Sequence, residues 1–138
     1  MLEEKIITAS KIAEIFKSAF MEVSDVEDNR FSVKGVQFSF MIRVKVNIEQ
    51  KTISFIDYNP LHRITPEAAA TLCNSANNQF RLARFYAFKH DAAVIATCEY
   101  EMTYEKGVIP FQIISNFRAF ENIAGLAVRD LFKEHLKP

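Results

Sequence analysis

The chain alternates most cleanly between Phe38 and Ile48. Phe38, Phe40, Ile42, Val44, Val46 and Ile48 interleave with Ser39, Met41, Arg43, Lys45 and Asn47. A period of two sustained that long predicts a strand with one dry and one wet face. Burying such a row at about 2 kcal/mol per side chain contributes on the order of 10 kcal/mol before chain entropy is subtracted. A shorter strand with Phe31 and Val33 precedes it, and Gly35 breaks the phase as either a bulge or a tight turn. Glu49-Gln50-Lys51 closes a hairpin, and Thr52 to Tyr58 returns with Ile53 and Phe55 inward. Asn59-Pro60-Leu61-His62-Arg63 reads as a loop, because proline lacks an amide donor and restricts the residue before it.

Helical spacing appears in three places. Ile12, Ile15, Phe16, Ala19 and Phe20 form an apolar stripe behind the candidate caps Thr8 and Ser10. Thr65-Pro66-Glu67 is the strongest helix start, a cap followed by proline at the first position and an acid in the first turn. Its predicted buried face, Ala68, Ala69, Leu72, Cys73 and Ala76, consists largely of small residues that permit close approach. The last helix is expected from about Gln112 or Ser115 to about His135, with Phe117, Phe120, Ala124, Ala127, Val128, Leu131 and Phe132 on its apolar face. Between the second and third helices, Phe80 to Lys89 reads as a fourth strand and His90-Asp91 as a turn. Val94, Ala96, Cys98, Tyr100, Met102 and Tyr104 alternate along a fifth strand. The order is α-β-β-β-α-β-β-α over a single domain, residues 1–138. Hairpin-length turns imply antiparallel pairing, so the class is α+β, a twisted antiparallel sheet with helices packed on it.

Composition narrows the function classes. Lys plus Arg and Asp plus Glu are both 17, for a net charge of zero. A nucleic-acid binder gains its affinity from a basic excess, so no nucleic-acid partner is expected. The two cysteines, Cys73 and Cys98, lie inside apolar patterns and read as buried thiols. No signal peptide and no apolar stretch of membrane-spanning length is visible, so the expected location is the cytoplasm, with no membrane partner.

The helix-to-strand junction is the most informative stretch. Asn74 and Asn77 stand one helical turn apart, so their amides share a face, and Arg81, Arg84, Phe85 and Tyr86 follow in the next strand. This junction and the element order resemble the YbjN domain family, whose fold is similar to that of type III secretion chaperones. The likeness in order covers nearly the whole chain. The family often carries Trp just before the second Asn; here Ala76 holds that position and the chain has no Trp. The resemblance implies a non-enzymatic, often dimeric interaction module with no cofactor. Members have been called sensory-transduction regulators, and chaperones of this fold hold extended client segments along apolar surface.

Other candidate chemistry has plainer readings. His62, His90 and His135 fall in a loop, a turn and a helix end, without the spacing of a metal pair. No nucleophile elbow is present, and Gly35, Gly107 and Gly125 cannot build a phosphate loop. Glu99, Glu101 and Glu105 occupy the polar phase of the fifth strand and its turn, where pairing with Arg81 or Arg84 is expected. The mixture of Arg81, Arg84, Phe85, Tyr86 and Phe88 could suggest base stacking, but zero net charge argues against it. The leading expectation is a homodimeric protein-interaction module that binds a protein partner. Its candidate interface is Asn74, Asn77, Arg81, Arg84, Phe85 and Tyr86. The alternative is a small-ligand sensor with a pocket between sheet and helices.

Overall fold

The computed structural model describes residues 1–136. Helix α1 spans Ala9–Ser18, capped by Thr8, whose Oγ1 accepts from the Lys11 amide at 3.1 Å. It buries Ile12, Ala13 and Phe16, with Ile15 half-buried. Phe20 does not continue the stripe. The helix closes with the Met21 amide donating to the Phe16 carbonyl (3.1 Å) and the Phe20 amide to the Lys17 carbonyl (3.0 Å). That pair of bonds is a Schellman cap. It puts Phe20 in the left-handed region (φ 63°) and 97% exposed, while Met21 takes the buried place.

Six strands form one antiparallel sheet: β1 (Val23–Ser24), β2 (Arg30–Lys34), β3 (Met41–Asn47), β4 (Thr52–Leu61), β5 (Arg84–His90) and β6 (Ala93–Thr103), in the order β1-β2-β3-β4-β6-β5. The α+β class therefore stands, with one strand more than expected. β1 is two residues long, too short to show a period, and pairs Val23 with Val33. Helix α2 (Pro66–Gln79) joins β4 to β5, and helix α3 (Pro110–Ala127) follows β6. α3 starts at Pro110 itself, ahead of the expected Gln112 or Ser115, because proline fits the first helical position. Beyond it the chain continues through a π-helical turn, Val128–Phe132, and a short 3-10 turn, Lys133–His135.

The long alternating row is cut at both ends. Ile48 sits in the β3–β4 turn, 60% exposed. Phe38 and Phe40 lie in a loop, not in β3, because α3 competes for that backbone. The buried carboxylate of Glu121 accepts from the amides of Val36 (3.0 Å) and Phe38 (2.8 Å). The Gly35 amide donates to the Phe40 carbonyl at 2.8 Å, so Gly35 opens a turn and is not a bulge. A Cβ on Gly35 would run into Glu121, and one on Gly125 would overlap the Phe38 ring. Both glycines thus let loop 35–40 lie directly on α3.

The expected loop 59–63 is likewise corrected: Asn59, Pro60 and Leu61 belong to β4 and pair with Ala96, Ile95 and Val94. β3 covers β4 only as far as Ile56, so Pro60 lies where one edge is open and its missing donor is tolerated. His62 and His135, far apart in sequence, meet there: the His62 amide donates to the His135 carbonyl at 2.7 Å, fastening the end of β4 to the last turn.

One face of the sheet is covered by the helices. Phe16 meets Phe117 edge-on at 5.0 Å, and Phe55 lies 5.4 Å from Phe117 and 5.9 Å from Phe120. These rings, with Phe31, Ile42, Val44 and Ile53, fill the space between sheet and helices. Among the described residues no helix packs on the opposite face.

Candidate functional site

Helix α2 begins as its sequence predicts: Thr65 Oγ1 accepts from the Ala68 amide at 3.1 Å and Pro66 takes the first position. Ala69, Cys73 and Ala76 face inward and Leu72 is half-buried, but Ala68 is exposed. At the far end, Asn77 meets the backbone of Phe85. Its Oδ1 accepts from the Phe85 amide and its Nδ2 donates to the Phe85 carbonyl, each at 2.8 Å. β5 is an edge strand, so these two groups point away from β6. One side-chain amide here takes the place of a neighbouring strand, satisfying a donor and an acceptor together.

The candidate interface residues do not share one environment. Phe85 is buried, its ring 6.0 Å from Phe80 and 6.4 Å from Phe132. Asn77 is committed to the backbone of Phe85, whereas Asn74 is exposed on α2 and is not brought to the strand with it. Phe80 to Ala83 form a bend that precedes β5 and do not extend it, which leaves Arg81 exposed outside the sheet. Arg84 and Tyr86 stand on the open face. Arg84 bonds Glu99 Oε1 at 2.9 Å and lies 5.1 Å over the Tyr86 ring, while the Tyr86 hydroxyl donates to Glu99 Oε2 at 3.1 Å. A single carboxylate orients both side chains. Burial, and then the charge of Glu99, raise the pKa of the Tyr86 phenol and keep it a donor. Of the other acids, Glu101 accepts from Ser54 Oγ at 3.4 Å.

Strand register extends this face. Tyr58 pairs with Thr97, which pairs with Tyr86; Pro60 pairs with Ile95, which pairs with Phe88. Directly paired residues share a face, so Tyr58, Tyr86 and Phe88 lie together beside the Arg84–Glu99 pair. Tyr58 and Phe88 are 39% and 38% exposed.

Three groups with consequences escape a reading of the sequence. Glu121 is one; its trace is a carboxylate set among Phe117, Phe120 and Ala124 on the apolar side of α3. Asp57 is the second, standing in the inward phase of β4 after Ile53 and Phe55. It is 4% exposed, accepts from Asn59 Nδ2 at 2.8 Å, and burial pushes its pKa up to about 6. The third is exposed Phe20, for which the sequence gives no signal. Cys98 is the cross-strand neighbour of Asp57. Burial raises the Cys73 thiol to about 11 and lifts Cys98 further, with the Asp57 charge adding to the latter, so both are poor nucleophiles. Among the described residues no group of three or more His, Cys, Asp or Glu side chains could hold a metal, and no helix is long and apolar enough to cross a membrane.

No family model and no curated protein matches the sequence. The fold, however, is that of a solved structure. YbjN from E. coli, described there as a candidate transcription regulator, superposes with a TM-score of 0.81 over 100% of both chains, at 11% sequence identity. The YbjN-like fold that the element order implied is therefore present. At that identity the likeness concerns architecture alone.

Proposed function

We propose that this chain is a non-catalytic, regulatory protein-interaction module that associates as a homodimer and holds a protein partner on the open face of its sheet. The observation that carries this reading is the cluster of Tyr58, Tyr86 and Phe88 beside the Arg84–Glu99 pair. Exposed aromatics with an oriented arginine are the residue types that dominate binding energy at protein interfaces. Of the six residues singled out in the sequence, Arg84 and Tyr86 contact the partner in this reading, Arg81 stands exposed just ahead of them, Asn77 and Phe85 hold β5 in place, and Asn74, exposed on α2, takes no part. The YbjN neighbour, a candidate regulator, supports regulation over catalysis.

The ligand-sensor alternative has no comparable support, since phenylalanines fill the space between sheet and helices. Affinity capture with mass spectrometry tests the proposed face. A partner recovered in stoichiometric amount with wild-type protein should be lost with the Arg84→Glu, Tyr86→Ser double variant. Equal recovery with both proteins would remove this face from consideration.

A further inference from the structure

Strand register also fixes what lies on the other half of the open face. Arg30 of β2 stands directly opposite Lys45 of β3, and Arg43, two residues along β3, shares their side of the sheet. Arg43 is in turn opposite Ile56, and Ile56 is opposite Glu99. One face therefore runs from the cations of β2 and β3 to the aromatics of β4 and β5.

Three observations mark this face as incomplete in the single chain. First, Arg30 against Lys45 is a like-charge cross-strand pair, which destabilises a sheet, in a chain whose net charge is zero. Second, the acids of the face are engaged elsewhere. Glu27 holds Arg30 at 2.6 Å, Glu99 holds Arg84 at 2.9 Å, and Glu101 accepts from Ser54 at 3.4 Å. Arg43 and Lys45 are half-buried, yet neither makes an ion pair or a side-chain hydrogen bond among the described residues. Third, Thr97 lies between Tyr58 and Tyr86 in the register and is 1% exposed, and its Oγ1 has no hydrogen-bond partner among the described residues. Buried hydroxyls are nearly always paired.

We infer that the partner held on this face is an extended acidic segment of a protein, its carboxylates taken by Arg43 and Lys45 and a large apolar side chain seated among Tyr58, Tyr86 and Phe88. This inference rests on the proposed use of the open face and names the chemistry that fits it. A carboxylate beside Lys45 offsets the repulsion from Arg30, and a second gives the Arg43 guanidinium the acceptor it lacks. A nucleic acid fits less well, because its phosphates would run over Glu99 and Glu101. The three inter-strand gaps from β3 to β5 span about 14 Å, which an extended chain covers in about four residues. The acid and the apolar residue should therefore stand about four positions apart. Tyr86 is tied to Glu99, but the Tyr58 hydroxyl makes no hydrogen bond among the described residues, so Tyr58 can turn aside and open Thr97 to the segment.

The test is phage selection of random dodecapeptides on the full chain, with recovered sequences remade as labelled peptides for fluorescence anisotropy. The selected set is expected to carry Asp or Glu about four positions from a large apolar residue, and affinity should fall as salt is raised. The Arg43→Glu, Lys45→Glu double variant should weaken these peptides by about tenfold or more. Arg43→Gln, Lys45→Gln, which keeps both stems, replaces it if circular dichroism shows misfolding. Lys45→Glu alone should melt no lower than wild type, because it turns the pair with Arg30 into an attractive one. A lower melting temperature would overturn the view that this lysine serves binding and not folding. Peptides weakened by Arg84→Glu, Tyr86→Ser but indifferent to the β3 variants would overturn the acidic-segment assignment and leave the open face as the partner's site. So would a selection without acidic residues, or one that recovers no binder. Preferential binding of single-stranded oligothymidylate, lost with the β3 variants, would assign the cations to phosphate and overturn it as well. Peptides indifferent to both sets of variants would overturn this assignment and the open-face reading together.

Discussion

Two anchors in this fold do the same work by opposite means. At the α2–β5 junction, the neutral amide of Asn77 gives one hydrogen bond and takes one from a residue eight positions away. At loop 35–40, the buried carboxylate of Glu121 takes two from amides 85 and 83 positions away. The first closes a strand edge locally. The second pulls a stretch with strong strand character out of the sheet and sets it on a helix. The difference teaches that a single buried charge with two good donors outweighs the period-two pattern of the residues it binds.

The sharpest way to break this comparison is Glu121→Ala. It removes the acceptor of two amides at a part-buried site and leaves a cavity where the buried side chain lay, so urea unfolding should show a loss of about 3 kcal/mol. Hydrogen exchange at Val36 and Phe38 should accelerate at the same time. A loss under about 1 kcal/mol would mean the loop is held by Phe38 packing alone.

Asp57 extends the contrast, being a buried carboxyl that accepts from the neutral Asn59 side-chain amide. Its folded pKa of about 6 lies above the ordinary 3.8, so the native state binds more protons than the unfolded chain between those values. Stability contributed here is therefore present below about pH 4 and lost as pH rises through 6, at most about 3 kcal/mol for a shift of roughly two units. Asp57→Asn should raise stability at pH 7.5 by up to that amount and flatten the pH dependence between 4 and 6. Thermal melts across that range, wild type against variant, decide it; a less stable variant at pH 7.5 would contradict the sign.

Asn77→Ala is the smaller counterpart of the first test. The junction is partly solvated, so a loss of about 1–2 kcal/mol is expected, with faster exchange at the Phe85 amide. Thr65→Ala removes an ordinary helix cap and should cost about 1 kcal/mol. If Asn77→Ala costs no more than Thr65→Ala in the same denaturation series, the amide acts only as another cap and not as a strand substitute.

These anchors also explain what the sequence disclosed. Thr65-Pro66, the Ile42–Val46 alternation and the stripe through Ile12 and Phe16 depend on neighbours in the chain, and each appears where its pattern places it. Asn77 was legible as a junction residue for the same reason. Phe38, Pro60 and Phe20 were not. Their conformations are set by Glu121, by the point where β3 stops covering β4, and by a cap that normally requires glycine. On the open face, the alternation marked Glu99 as outward and made Arg84 one of its two expected partners, next to Tyr86. Only the register of β4 against β6 brought Tyr58 beside them. Asp57 was hidden because one polar residue in an inward phase looks like a strand end until its partner strand is known.

The span of the Glu121 anchor also sets a clock. A ribosome adds roughly 5–20 residues per second. The Val36 amide therefore waits about 4–17 s for an acceptor that lies 85 residues downstream. The Asn77 bond can close within about two seconds at the same rates. During the longer interval Phe38 and Phe40 belong to a segment with every feature of a free strand. The nascent chain is then at its most adhesive, and slowing translation between Phe38 and Glu121 would lengthen that exposure in proportion.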